Sequence, residues 1–198
     1  VVNKIINPDD RTVYQLTHFG SRGDQYLGGE NLLALLGYEV YHDNKRVMLE
    51  KRVPIVRPSN AERIFGLQTL VQENNAYSTA ANSNSKLLAE ALRNIWEKPE
   101  KGLPFNSHGK LILKLWNEKN QLISIELSVD ISRLNSIMET KLKNGIENFF
   151  RALRATRLYE VGIIDRTEKR FKYLPIHIFL AGNSCKSQLF QRLFEERK

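Results

Sequence analysis

The sequence predicts an α/β fold, and two glycine turns carry most of that expectation. Ile176-His177-Ile178-Phe179-Leu180-Ala181-Gly182-Asn183-Ser184 has five apolar residues among its first six, two of them β-branched. That is the composition of a strand buried on both faces of a sheet. A small-residue turn then hands the chain to a helix over Ser187–Glu196, where Leu189, Phe190, Leu193 and Phe194 repeat at helical spacing. Near the other end, Gly23-Asp24-Gln25-Tyr26-Leu27-Gly28-Gly29-Glu30 follows two strand-like runs and opens a leucine-rich stretch. A strand that ends in a glycine turn at a helix N-terminus aims backbone N–H groups at one point, an arrangement suited to a phosphate or the edge of a sugar.

In chain order, Val1–Ile6 and Thr12–His18 are expected to form a hairpin across the turn-forming cluster Asn7-Pro8-Asp9-Asp10. Gly28-Gly29 then open a helix carrying Leu32, Leu33, Leu36, Val40 and Tyr41. Lys51–Ser85 is the least legible part: Pro54 and Pro58 punctuate it, Ala61–Leu70 suits a short helix, and Asn74–Ser85 is a polar loop rich in Asn, Ser and Ala. Lys86–Lys98 predicts a helix stopped by Pro99. Gly109–Trp116 and Leu122–Val129 alternate on either side of Asn117-Glu118-Lys119-Asn120 and predict a second hairpin. Asp130 is placed to cap a long amphipathic helix with Ile131, Leu134, Met138, Leu142, Ile146, Phe149 and Leu153 on its apolar face.

GDxxLGGE at 23–30, the AGNSxKS turn at 181–187 and the order of elements between them resemble the ATPase domain of heat-shock chaperones of the DnaK type. Those chaperones share a superfamily with actin and the sugar kinases. The resemblance implies a partial actin-like (ribonuclease H-like) ATPase lobe, the second of two, beginning just after the family's acidic DxGGGT phosphate loop. It divides the chain into a base subdomain from residues 1–29 and 130–198 and an inserted α+β subdomain from 30–129. In the family this lobe holds the adenosine in a cleft between lobes. The implied cofactor is therefore ATP or ADP, with Mg²⁺ in the whole parent. The implied partners are an adenine nucleotide, the first ATPase lobe, and a client or co-chaperone protein.

Three constellations carry the resemblance residue by residue. At Gly28-Gly29-Glu30, missing β-carbons let a ribose or phosphate approach the backbone and Glu30 accepts from a ribose hydroxyl; the structural alternative is a tight turn that needs positive φ. Gly182-Asn183-Ser184-Cys185-Lys186 resembles the family's Gly-Gly-Ser-x-Arg adenosine turn, with Asn183 in place of a glycine and Lys186 in place of the arginine. Asn tolerates left-handed backbone, whereas Lys lacks the planar group that stacks on a base. Glu90-Ala91-Leu92-Arg93-Asn94 resembles the adenosine-contacting helix, although the family has Lys where Arg93 stands and Arg where Asn94 stands. Glu90 and Arg93 share a helix face, so the alternative is an exposed i,i+3 ion pair.

Other signals point elsewhere and carry less. Gly182–Ser187 lacks the second glycine and the length of a P-loop. His18, His42, His108 and His177 have no metal-ligand spacing, no nucleophilic catalytic set is suggested, and Cys185 suits packing. Asp24 braces its turn or faces a metal-bound water. Arg151, Arg154, Arg157, Arg166, Lys169, Arg170 and Lys172 offer spaced cations for nucleic-acid phosphates, but Glu160, Asp165 and Glu168 interrupt them and no nucleic-acid motif accompanies them. Nucleic acid is thus disfavoured as a partner. A protein-interaction module that has lost nucleotide binding is the main alternative.

Composition agrees with a fragment of a cytoplasmic protein. The 198 residues suffice for one core with a smaller insertion. There is no initiator Met, secretory signal pattern or apolar run of membrane-spanning length. One cysteine cannot form an internal disulfide. The net charge of +8 decides little, since a partner lobe can carry compensating acids.

Overall fold

The computed structural model describes residues 2–6, 12–16, 27–62, 70–72, 78–98, 101–155 and 187–197. Helices and strands are mixed along the chain, in keeping with the general α/β class. By packing the chain divides into two compact units, Val1–Gly23 with Gly145–Phe179, and Asp24–Asn144 with Leu180–Lys198.

In the first unit, β1 (Val2–Ile6) pairs antiparallel with β2 (Thr12–Leu16), with Lys4 opposite Tyr14. This is the hairpin that the turn cluster predicts. The predicted strand Ile176–Ala181 lies outside the described residues.

The second unit is built on α1 (Gly29–Asp43) and α3 (Thr79–Glu97), which pack on each other. α1 buries Leu32, Leu33, Leu35, Leu36, Tyr38, Val40 and Tyr41, a broader face than the predicted set. Close approach of the two helices depends on Gly37: a β-carbon there would stand 3.2 Å from Leu88 Cβ, tighter than ordinary packing. After the short α2 (Lys45–Glu50), β3 (Ile55–Val56) pairs in parallel with β4 (Val71–Gln72). β5 (Leu111–Trp116) and β6 (Leu122–Leu127) form the second hairpin, antiparallel, with Leu111 opposite Leu127. Its turn is closed by Asn117, whose Oδ1 accepts from the amides of Lys119 and Gln121, and by Asn120 at φ 56°. Both are standard uses of Asn in turns. Leu111, Leu115, Ile125 and Leu127 face the core.

α4 (Ile131–Ala155) starts where Asp130 Oδ1 accepts from the Arg133 amide at 3.0 Å, the predicted cap. Leu134, Met138, Leu142, Ile146 and Phe150 are buried at four-residue steps. Phe149, expected on the apolar face, is 40% exposed, and Phe150 takes the inner position. The rings meet edge to face at 5.3 Å. A strict step of four selects Phe150 over its neighbour. α5 (Gln188–Arg197) buries Leu193 and Phe194, as the spacing predicts.

The polar loop expected at Asn74–Ser85 is corrected from Thr79 onward, where α3 begins. Ser78 caps it by accepting from the Ala81 amide at 3.3 Å. Asn84 and Ser85, which look loop-like in sequence, turn away from solvent and are satisfied by backbone groups. Asn84 is fully buried, donates to Pro54 O and Trp116 O at 2.8 Å each, and accepts from the Trp116 amide at 2.8 Å. Ser85 Oγ accepts from the Val56 amide at 3.0 Å. The short helix expected at Ala61–Leu70 falls largely outside the described residues.

Asn84→Ala orphans one buried N–H and two carbonyls, and is expected to destabilise the chain by about 3 kcal/mol. Asn82→Ala, on the exposed side of the same helix, is expected to cost less than about 0.5 kcal/mol. Urea unfolding of the two variants checks this, and equal midpoints would refute it.

Candidate functional site

The start of α1 and the middle of α3 come together at Arg93. Residues 63 apart in sequence meet here: Arg93 Nη1 lies 3.0 Å from Glu30 Oε1, and Nη2 donates to Glu30 Oε2 at 3.1 Å. Glu90 takes the other edge of the guanidinium, from Nε at 2.9 Å and from Nη2 at 2.6 Å. Glu97 accepts from Nη1 at 2.9 Å. An arginine has five N–H donors in a fixed fork, and four hydrogen bonds to carboxylates engage four of them. The edge is largely used, which leaves chiefly the flat faces of the guanidinium for a ligand.

The electrostatics follow from the count. Three carboxylates surround one cation, a local formal charge of −2, so the cluster favours hydroxyl groups over phosphate. Hydrogen bonding to Arg93 holds the Glu90 carboxyl below its ordinary range. The three carboxylates, Glu90 foremost, raise the guanidinium further above its already high value. Glu30 and Glu90 remain largely open to solvent, whereas the Arg93 side chain is 25% exposed. Pairs this open contribute little individually.

Gly28 is the N-cap of α1 and, having no side chain, makes no side-chain cap bond. Its backbone sits at φ −62° and ψ 144°, a conformation open to any residue. A β-carbon would meet only Asn31 Nδ2, at 3.9 Å. The turn therefore does not need positive φ at Gly28, and neither backbone conformation nor crowding among the described residues explains the glycine. Glu30 lies in the same first turn, as the motif requires.

Of the other predicted residues, Gly29 begins α1 and Asn94 sits on α3, where its amide reaches Gly102 O at 3.4 Å and holds the loop after the helix. Gly182, Asn183, Ser184 and Lys186 lie outside the described residues. Glu97 was missed by motif reasoning; its i,i+4 spacing from Arg93 is the signal that marks it. Among the described residues no group of three or more His, Cys, Asp or Glu is arranged to hold a metal ion, and no helix is long and apolar enough to cross a membrane.

Comparison with known proteins returns no match: no family model, no curated protein and no solved structure is similar to this chain.

Because the Glu90 carboxylate is stabilised by Arg93, its contribution to the clasp is full above the ordinary glutamate range. It is lost as the pH falls through the depressed folded value. Carboxyl carbon shifts followed by NMR are expected to give Glu90 a lower midpoint in the wild type than in Arg93→Gln. Coincident midpoints would show that the clasp does not persist in solution.

Proposed function

We propose that the chain supplies the adenosine side of the nucleotide cleft of a DnaK-type, actin-like ATPase. On this proposal residues 1–29 and 130–198 form the base of the second lobe and residues 30–129 its inserted subdomain. The observation that carries it is the meeting of Glu30 with Arg93: two segments selected independently by motif converge at one point, beside a glycine that the local backbone does not require.

The chemistry assigned to each residue follows from that geometry. Amides at Gly28-Gly29 face the ribose and the first phosphate, as a helix N-terminus does for an anion. Glu30 and Glu90 keep free lone pairs beside Arg93 and accept from ribose hydroxyls. The Arg93 guanidinium, immobilised by its edge, presents a face to adenine. The resemblance assigns the opposite side of the base to Gly182, Asn183, Ser184 and Lys186, which lie outside the described residues. Bound Mg²⁺ would neutralise phosphate charge in the two-lobed parent. Positioning and electrostatics would supply the rate there.

A second reading has its own support. With four hydrogen bonds from Arg93 to carboxylates on both helices, the cluster also serves as a clasp between α1 and α3. A protein-interaction module descended from such an ATPase needs nothing more of it. The nucleic-acid alternative draws least support: Arg154 is paired with Glu147 at 3.2 Å, and Arg157 through Lys172 lie outside the described residues.

Calorimetric titration of ADP separates the readings. Gly28→Ala is expected to keep or raise thermal stability, because the backbone already suits alanine, while weakening ADP. Arg93→Ala should cost about 1–3 kcal/mol of binding, and Gly182→Val should block approach of the nucleoside. Absence of ADP binding, or affinity unchanged in all three variants, would leave the clasp with a structural role only.

The chain alone is also expected to show no steady-state ATP turnover, since the metal and the reacting terminal phosphate are held by the other lobe on this reading. Phosphate release that persists through rigorous purification would contradict this.

A further inference from the structure

A cleft of about 350 Å³ opens within the second unit, between the end of α3, the first half of α4 and the start of α5. Its lining is mixed: Ile95, Trp96 and Met138 are buried and Leu189 is half-buried, beside the polar Asn135 and Ser187. Trp96 is only 3% exposed and lines the cleft, so its indole offers an aromatic surface to an occupant. The volume is within the range of small-molecule sites, and an indole beside a thioether favours an aromatic occupant.

The mouth carries one charge of each sign. Arg192 Nη2 lies 3.8 Å from Glu139 Oε2, and its Nε lies 3.8 Å from Glu196 Oε1. Both separations exceed hydrogen-bond length. Arg192 is therefore held near carboxylates without being satisfied by them, the opposite of Arg93, and its side chain is 60% exposed. Gln188 stands one turn before it on α5, at the positive end of that helix. Glu139 is anchored from the far side by Lys143 at 2.7 Å, so its carboxylate stays anionic and in place.

We propose that this cleft binds a small zwitterion with an aromatic body, the class of the free aromatic α-amino acids. The ring lies against Trp96, Ile95, Met138 and Leu189. The carboxylate takes the open N–H groups of Arg192, and the ammonium takes Glu139. An ion pair stretched to 3.8 Å accepts such a ligand with both charges matched, whereas a simple anion meets Glu139 and a simple amine meets Arg192. The site is separate from the Arg93 cluster, and the outcome for ADP does not bear on it.

Phenylalanine is the probe, titrated calorimetrically into the whole chain beside 3-phenylpropionate and phenethylamine. In parallel, Trp116→Phe leaves Trp96 as the sole tryptophan, whose emission reports occupancy. Saturable binding of phenylalanine is expected, with each single-charge analogue at least about tenfold weaker. Arg192→Gln should weaken phenylalanine and 3-phenylpropionate about tenfold and strengthen phenethylamine by removing the like charge, while Glu139→Gln should weaken phenylalanine and phenethylamine about tenfold and strengthen 3-phenylpropionate. Both substitutions lie at the surface and are expected to keep the fold, checked by unfolding midpoints. No saturable phenylalanine binding up to about 10 mM, or binding indifferent to both variants, would overturn the proposal.

Discussion

Two buried asparagines set the geometry of the second unit. Asn84 gives Trp116 the pair of hydrogen bonds that a neighbouring strand would give it, one to its carbonyl and one from its amide. Its remaining N–H goes to Pro54 O, at the entrance to β3. Asn44 repeats the device at the other end of the hairpin. It accepts from the Ser128 amide, donates to Ser128 O, and turns its second N–H to Val40 O at the end of α1. The hairpin β5–β6 is thus pinned at both ends by helical side chains acting as short pieces of strand. Because a buried amide is costly unless all its groups are paired, each asparagine admits one position of helix against strand. The hydrophobic contacts around them are far less selective about register.

The same constraint explains which parts of the fold could be read from the sequence. Both hairpins, the leucine-rich α1, the Asp130 cap and the last helix follow from periodicity and turn chemistry, each contained in a window of a few residues. The first two turns of α3 could not be read that way. Thr79 to Ser85 has the composition of a loop, and only the distant backbone groups of Val56, Pro54 and Trp116 make its Asn and Ser suitable for a buried helix face. Tertiary partners decide that segment, so local propensity misleads. At Phe149 and Phe150 both residues are equally apolar, and the choice between them rests on a four-residue packing step that composition does not reveal.

At the candidate site, types and spacing were legible while engagement was not. The motifs named Glu30, Glu90 and Arg93, and these converge. That Glu97 joins them and occupies the last free edge of the guanidinium is a matter of helix geometry, visible only when all three carboxylates are placed around one cation. Gly28 makes the complementary case. Sequence alone invites the idea that such a glycine serves a strained turn, yet its φ of −62° removes that explanation. Two residues with ordinary structural readings therefore move in opposite directions: Arg93 gains a structural role that the motif did not require, and Gly28 loses the one it was expected to have.

The contrast between Arg93 and Arg192 shows how one residue type serves different ends. Arg93 is fixed by five contacts at hydrogen-bond distance, and its rotamer freedom is already lost. Binding anything at its face incurs little further ordering, but four of its five N–H groups are already given to carboxylates. Arg192 has two carboxylates at 3.8 Å and its donors unspent. A ligand there must order an exposed side chain and in return gains charge-assisted bonds that the protein itself does not supply. Recognition through a pre-fixed plane suits a flat base. Recognition through unsatisfied donors suits a carboxylate. The two arginines lie on α3 and α5, flanking Ile95 and Trp96 in sequence and in the cleft respectively. The end of α3 thereby places a hydrogen-bonded charge one turn away from a cleft whose own arginine, on α5, keeps its donors unspent, and that difference in satisfaction, more than net charge or exposure, separates a position that clasps two helices from one that is open to a ligand.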